Sequence, residues 1–160
     1  MVVLGEESVK EALEMLIPGI ISILDQQKAT WGPKFVYGSL SYPSAEGLNT
    51  ITKFHFGDID APWNPKWGEK KDFPAVAESK RRLAARLKVA TSEAVAMEPW
   101  NLQEGEFLWP GGFYRLGISV GISGAMGRTD EAIAEMVVSA IIMLARLETD
   151  KRIQEHKMRI

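Results

Sequence analysis

Apolar residues recur at Leu13, Leu16, Ile17, Ile20, Ile21 and Leu24, the spacing that places one stripe along one side of a helix. Ser8 and Glu11 stand three apart ahead of that stripe, as in a capping box, so Ser8 is the expected N-cap. Pro18-Gly19 interrupts the pattern. Proline removes a donor and disfavours helical backbone at the residue before it, which predicts a kink or two short helices. A turn is expected at Trp31-Gly32-Pro33, followed by a strand from Lys34 to Ser41, rich in Phe, Val, Tyr and Leu. Pro43 to Gly47 reads as the next turn. From Leu48 to Phe56 the chain alternates: Thr50, Thr52, Phe54 and Phe56 share one face, and Asn49, Ile51, Lys53 and His55 the other. The two strands are expected to pair as an antiparallel hairpin.

Gly57 to Lys71 has no periodicity and carries Trp63 and Trp67. It reads as a loop folded back on the core, or as an interface or pocket lid. Asp72-Phe73-Pro74 then starts a helix, with Asp72 as N-cap and proline in the first turn. That helix should run to about Lys88 and bury Val76, Leu83 and Leu87. Lys80, Arg81, Arg82, Arg86 and Lys88 make the rest of it basic, which suits a solvated face or a cluster that attracts an acidic ligand group. Thr91 to Met97 is open between a short helix and a strand, and Glu98 to Pro110 reads as a loop with Trp100 and Trp109. Phe113 to Ser123 reads as a strand or a tight hairpin broken near Gly117. After a turn at Gly124 to Gly127, Thr129 is the expected cap of a last helix, with Asp130 and Glu131 at its positive end. Ile133, Met136, Val137, Ala140, Ile141 and Leu144 form the apolar face of that helix. From about residue 149 a charged, exposed tail is expected. The order of elements predicts an α/β chain of the α+β type, in one domain spanning 1–160: a central antiparallel sheet flanked by helices.

Composition narrows the function classes. The 160 residues suffice for one core burying roughly 68–70% of the unfolded surface. A net charge of −2 argues against general nucleic-acid binding. The absence of cysteine removes disulfides, thiolate catalysis, Cys-ligated zinc and iron–sulfur clusters. No stretch approaches the ~20 apolar residues that span a bilayer, and residues 1 to 12 lack a signal-peptide core. A cytoplasmic protein without membrane contact is the expectation.

The segment from Gly111 to Asp130 carries the most chemistry: a strand, a Gly-rich turn and a helix start. That order aims backbone N–H groups and a positive dipole end at whatever lies above the turn, so it suits an anionic group. Equally, the glycines supply backbone conformations that a turn requires. The spacing Gly121-x-x-Gly124-x-x-Gly127 is not a dinucleotide fingerprint, and no Gly-Lys-Ser/Thr of a P-loop is present. Ser123 with Asp130 or Asp150 and then His156 has the order of a hydrolase triad. However, the helix starts too far downstream for a nucleophile elbow, and His156 falls in the charged tail. His55 and His156 are the two histidines, too few for a clustered metal site. His55, between Phe54 and Phe56, is either a half-exposed strand residue or an axial haem ligand.

Two blocks resemble the GlcG/HbpS-type haem-degrading-domain family. One is Gly111-Gly112 followed by Ile118-Ser-Val-Gly-Ile-Ser-Gly-Ala-Met-Gly-Arg-Thr-Asp-Glu131. The other is Ala77-Glu-Ser-Lys80-Arg-Arg-Leu-Ala84-Ala85 with Thr91 beyond it. The family's aspartate-glycine hairpin is replaced here by Ser41-Tyr-Pro-Ser-Ala-Glu-Gly47. The resemblance implies a profilin-like sandwich, a homo-oligomer, and in some members haem or corrinoid binding. Carried over by position, it points to Gly111, Gly112, Ser123, Gly124 and Asp130 as ligand-binding residues, with Lys80 placed to meet a propionate or carboxylate. The expected function is binding of haem or another anionic small molecule. A partner-binding scaffold and a small-metabolite enzyme, with Asp130 as a water-activating acid, are the alternatives.

Overall fold

A computed structural model of the chain describes residues 4–31, 33–44, 47–61 and 71–155. Trp63, Trp67 and His156 lie outside the described residues. The elements are α1 (Glu6–Trp31), β1 (Phe35–Pro43), β2 (Asn49–Gly57), α2 (Phe73–Leu87), α3 (Thr91–Met97), a 3₁₀ turn (Pro99–Asn101), β3 (Gly112–Arg115), β4 (Ile118–Ser123) and α4 (Gly127–Gln154). The four strands form one antiparallel sheet in the order β2-β1-β4-β3. The expected α+β architecture, a central antiparallel sheet flanked by helices, is the one observed.

The period-2 pattern assigns the two faces of the sheet. Val36, Leu40, Phe56, Val120 and Ile122 point to one side. There they pack with Ile20 and Leu24 of α1 and with Ile133, Val137 and Ile141 of α4 in one buried cluster. The opposite side carries Ser39, Ser119, Gly121 and Ser123, and α2 lies on it. Glycine at 121 permits that approach: a Cβ there would sit 1.9 Å from the Ala77 carbonyl oxygen and 2.5 Å from the Arg81 nitrogen. Where β3 turns into β4, Leu116 and Gly117 both have positive φ, 51° and 84°. This is the two-residue geometry whose twist matches paired strands.

Several expectations need correction. α1 opens at Glu6, not after Ser8: Val9 N–H donates to the Gly5 carbonyl at 3.2 Å, and Glu6 and Glu7 favour the positive helix end. Helix α1 also runs unbroken through Pro18. Both Pro18 and Glu14 are exposed, so the carbonyl that proline leaves without a donor is open to hydration while the opposite stripe stays packed. At the other end of the chain, the segment expected as a charged, exposed tail is helical: α4 continues to Gln154. Arg152 there pairs with Glu148 at 2.9 Å, one turn apart, and Lys151 and Arg152 suit the negative helix end. Its N-cap is Met126, not Thr129, whose hydroxyl instead accepts from the Gln27 side-chain amide. Among the described residues no helix is long and apolar enough to cross a membrane.

Candidate functional site

Helix α2 starts as its sequence dictates. The Asp72 carboxylate accepts from the Ala75 N–H at 3.1 Å, and Pro74 occupies the first turn. This fixes the phase of the helix and turns Lys80 inward against the end of β4. Two members of the expected solvated basic face are therefore buried, Lys80 and Arg81. Arg81 is held by Glu78 and Ser39: its Nη2 lies 2.7 Å from Glu78 Oε1, and its Nε lies 3.0 Å from Ser39 Oγ. Arg82 Nε donates to the same carboxylate at 2.8 Å, and Ser39 donates to it as well. The Arg81 hydrogen bond is the largest of the effects that hold the Glu78 carboxyl down at about 2.

Lys80 donates from Nζ to Asp130 Oδ2 at 3.0 Å and to the Ile122 carbonyl at 2.9 Å. Both side chains of this pair are 3% exposed. The Phe107 ring centroid lies 5.7 Å from the same ammonium, a cation–π distance. Asp130 sits in the first turn of α4, and its other oxygen accepts from the Ala125 N–H at 2.9 Å. The Gly124 N–H also stabilises the carboxylate. The Gly-rich turn thus aims its N–H groups at an anion, as its sequence suggests, and the first anion they meet is the chain's own Asp130. Burial pushes Asp130 up and Lys80 down from their ordinary values, while their mutual attraction acts against both shifts.

Behind the pair, a single hydroxyl organises the next layer. Thr91 Oγ1 accepts from the N–H groups of Gly111 and Gly112, each at 3.0 Å, and donates to Glu131 Oε2 at 3.0 Å. Ser92 donates to Glu131 through its backbone at 3.0 Å and also through its hydroxyl. Gly111 and Gly112 form a backing and not a lining: a Cβ on Gly111 would sit 2.6 Å from Lys80 Nζ, and one on Gly112 would sit 2.4 Å from the Lys80 carbonyl oxygen.

In front of the pair opens a cavity of about 360 Å³, toward the lower end of the range for small-molecule pockets. Phe73, Val76, Phe107, Trp109 and Met126 form its apolar walls, and Lys80, Ser123 and Asp130 its polar end. Of the residues the sequence singled out, Lys80, Ser123, Gly124 and Asp130 line this cavity, and Gly111 and Gly112 stand behind it. The aromatic walls were not marked by the sequence: Phe73 was read only as part of a helix start, and Phe107 and Trp109 lie in an aperiodic loop.

His55 is elsewhere. It is exposed on edge strand β2, opposite Tyr37, with ring centroids 6.2 Å apart. A separate depression of about 460 Å³ runs beside it, where Ile17, Ile21 and Phe56 meet Asp25, Lys34 and Asp58. Among the described residues no three His, Asp or Glu side chains cluster to hold a metal ion.

No protein-family model matches the chain, and no curated protein matches it. Solved structures do. One is a Klebsiella pneumoniae protein described as ORFY of family DUF336: 15% identity, TM-score 0.48, covering 80% of this chain and 86% of that one. Another is described as a PduOC:heme complex: 22% identity, TM-score 0.45, covering 81% of this chain and 91% of that one. The chain resembles the GlcG/HbpS-type haem-degrading-domain family in its Gly-Gly, Ser-Gly and Ala-x-x-Lys blocks, and these two structures are among the solved proteins to which it is similar.

Proposed function

We propose that this protein is a small-ligand-binding protein whose site is the cavity over the Lys80–Asp130 pair, and that haem is the first ligand to test. The observation that carries the reading is the convergence of five apolar side chains with a buried polar end in one concave space. A catalytic reading is disfavoured because Asp130, the carboxylate among the described residues that line the cavity, is already engaged by Lys80 and by backbone N–H groups. Haem fits this cavity in part. Its apolar edge suits the aromatic walls, and a propionate suits the polar end. Among the described residues that line the cavity, Met126 is the side chain of a type that ligates haem iron, whereas His55 would ligate it only in the second depression.

Titration with hemin, followed by the Soret band, tests the reading. Saturable binding that weakens in Met126→Leu and survives His55→Ala assigns haem to the cavity; the reverse pattern assigns it to the depression beside β2. Unshifted, non-saturable absorption removes haem as the ligand.

The homo-oligomer belongs to the same proposal. Met136, Met143 and Leu147 are 38%, 43% and 56% exposed and follow one face of α4. Exposed Glu135 and Arg146 flank this stripe toward its two ends. A two-fold axis near Ser139 would set Met136 against Met143 of a second copy and bring Glu135 near its Arg146, as a self-complementary interface requires. Light scattering of wild type and Met143→Glu tests it: a dimer that the charge dissociates is expected, and a monomeric wild type refutes it.

A further inference from the structure

Resting on the cavity-binding reading above, we infer that the ligand enters carboxylate first: the Ser123 hydroxyl and the N-terminal amides of α4 receive its anionic end, and its flat apolar body lies against Phe73, Val76 and Trp109. Two independent observations meet at this spot. Ser123 is 4% exposed, lines the cavity, and makes no side-chain hydrogen bond to any described residue. Its hydroxyl is open to the cavity, where a ligand oxygen can replace water as its partner. The second observation is the start of α4. This 28-residue helix has Met126 as its N-cap, with no side-chain cap. The first-turn N–H groups of Gly127, Arg128 and Thr129 have no acceptor within the helix, Gly127 lines the cavity, and the helix dipole adds positive potential there.

The neighbouring charges select the sign and the size of the group. Asp130 is neutralised by Lys80 and the Ala125 N–H, and Glu131 is satisfied by Thr91 and Ser92, so neither presents an unscreened negative charge. Lys71 adds a positive charge at the rim. An ammonium group would face the positive helix end, and a neutral amide would leave the dipole unused. Ser123 and Gly127 both line the cavity, and the hydroxyl of one and the amide of the other offer one donor to each of the two oxygens of a carboxylate. The apolar walls ask for an aromatic or alicyclic body. A haem propionate is one member of this class, but the geometry asks only for the carboxylate and a flat apolar group.

Calorimetry with 2-naphthoate and 2-naphthamide tests the inference on wild type and on Ser123→Ala, whose lost hydroxyl supports no described part of the fold. The acid should bind at least tenfold tighter than the amide, and Ser123→Ala should lose about tenfold for the acid and little for the amide, as for a hydrogen bond to a charged group. The amide ¹H–¹⁵N resonances of Gly127 and Arg128 should shift with the acid only. Equal binding of acid and amide would overturn the carboxylate-first mode and leave the cavity reading standing. Undiminished acid binding by Ser123→Ala would overturn it too. Binding of neither probe would overturn the inference, and the hemin titration would then decide whether the cavity reading falls with it.

Discussion

Replacing Lys80 by Met removes one charge of the buried pair while keeping most of the apolar stem, and so isolates the electrostatics of the site. At 3.0 Å, two unit charges attract by about 5 kcal/mol in an effective dielectric of ~20. Desolvation of both groups offsets much of that gain, so the pair itself is a weak stabiliser. The loss of one partner is different: it strands Asp130 in the interior, a change that costs about 3–5 kcal/mol. The Ala125 and Gly124 N–H groups remain on Asp130, which places the expected cost near the lower end. In urea unfolding the midpoint should fall by roughly 1–2 M with an unchanged slope. The second variant makes the reasoning falsifiable. Adding Asp130→Asn to Lys80→Met removes the stranded charge but keeps an oxygen for the Ala125 N–H. The double variant should therefore regain about 1–2 kcal/mol over Lys80→Met alone. If it is no more stable, the cost comes from packing of the lysine stem and the electrostatic account is wrong.

Three further outcomes follow from the same structure. Gly121→Ala should cost about 3 kcal/mol and lower Tm by roughly 6–12 °C in calorimetry, because its Cβ meets backbone atoms of α2 that cannot rotate away; an unchanged Tm would mean that α2 does not rest on the sheet there. The Glu78 carboxyl is held at about 2 against an ordinary 4.5. Its contribution to stability is thus present above pH 4.5 and lost as pH falls from there toward 2. Water access reduces that contribution to about 1–2 kcal/mol, and Glu78→Gln should flatten this acid limb in urea titrations between pH 5 and 2.5. Leu116 holds φ 51° while 65% exposed, so Leu116→Asn, giving an Asn-Gly turn, should stabilise by about 0.5–1 kcal/mol and raise Tm by roughly 1–4 °C.

Local rules made much of this fold legible. Asp72 with Pro74 announced α2, the alternation from Leu48 to Phe56 set the faces of β2, and the break near Gly117 announced the β3–β4 hairpin. Where the sequence misled, a tertiary contact decided the outcome. Pro18 looked like a helix breaker, yet it falls on the exposed side of α1, where a missing bond costs least. Arg81 and Lys80 belong to a basic run that the pattern leaves open between a solvated face and a cluster facing an acidic group; which of five neighbouring cations turns inward depends on where Ser39 and Asp130 arrive from other elements. The Gly-rich turn is open in the sequence between an anion cradle and a set of glycines that serve the turn alone, and its Ala125 N–H does meet an anion. That the anion is Asp130, five residues past Ala125, needed the actual path of the chain. Phe107 and Trp109 carried no signal because an aperiodic loop has no register from which a facing direction follows.

Lys80 and Asp130 belong to helices on opposite faces of the sheet, and their bond passes around the end of β4. The pair is therefore a clasp between two layers that otherwise communicate through strands. Release of α2 from its face withdraws the counter-charge from the first turn of α4, and fraying of that turn strands the ammonium on α2. The two helices are bound to open as one unit, even though their apolar contacts are separate. A ligand seated against the clasp would then protect amides on both sides of the sheet at once, so hydrogen exchange reports occupancy of the cavity from regions that the ligand never touches.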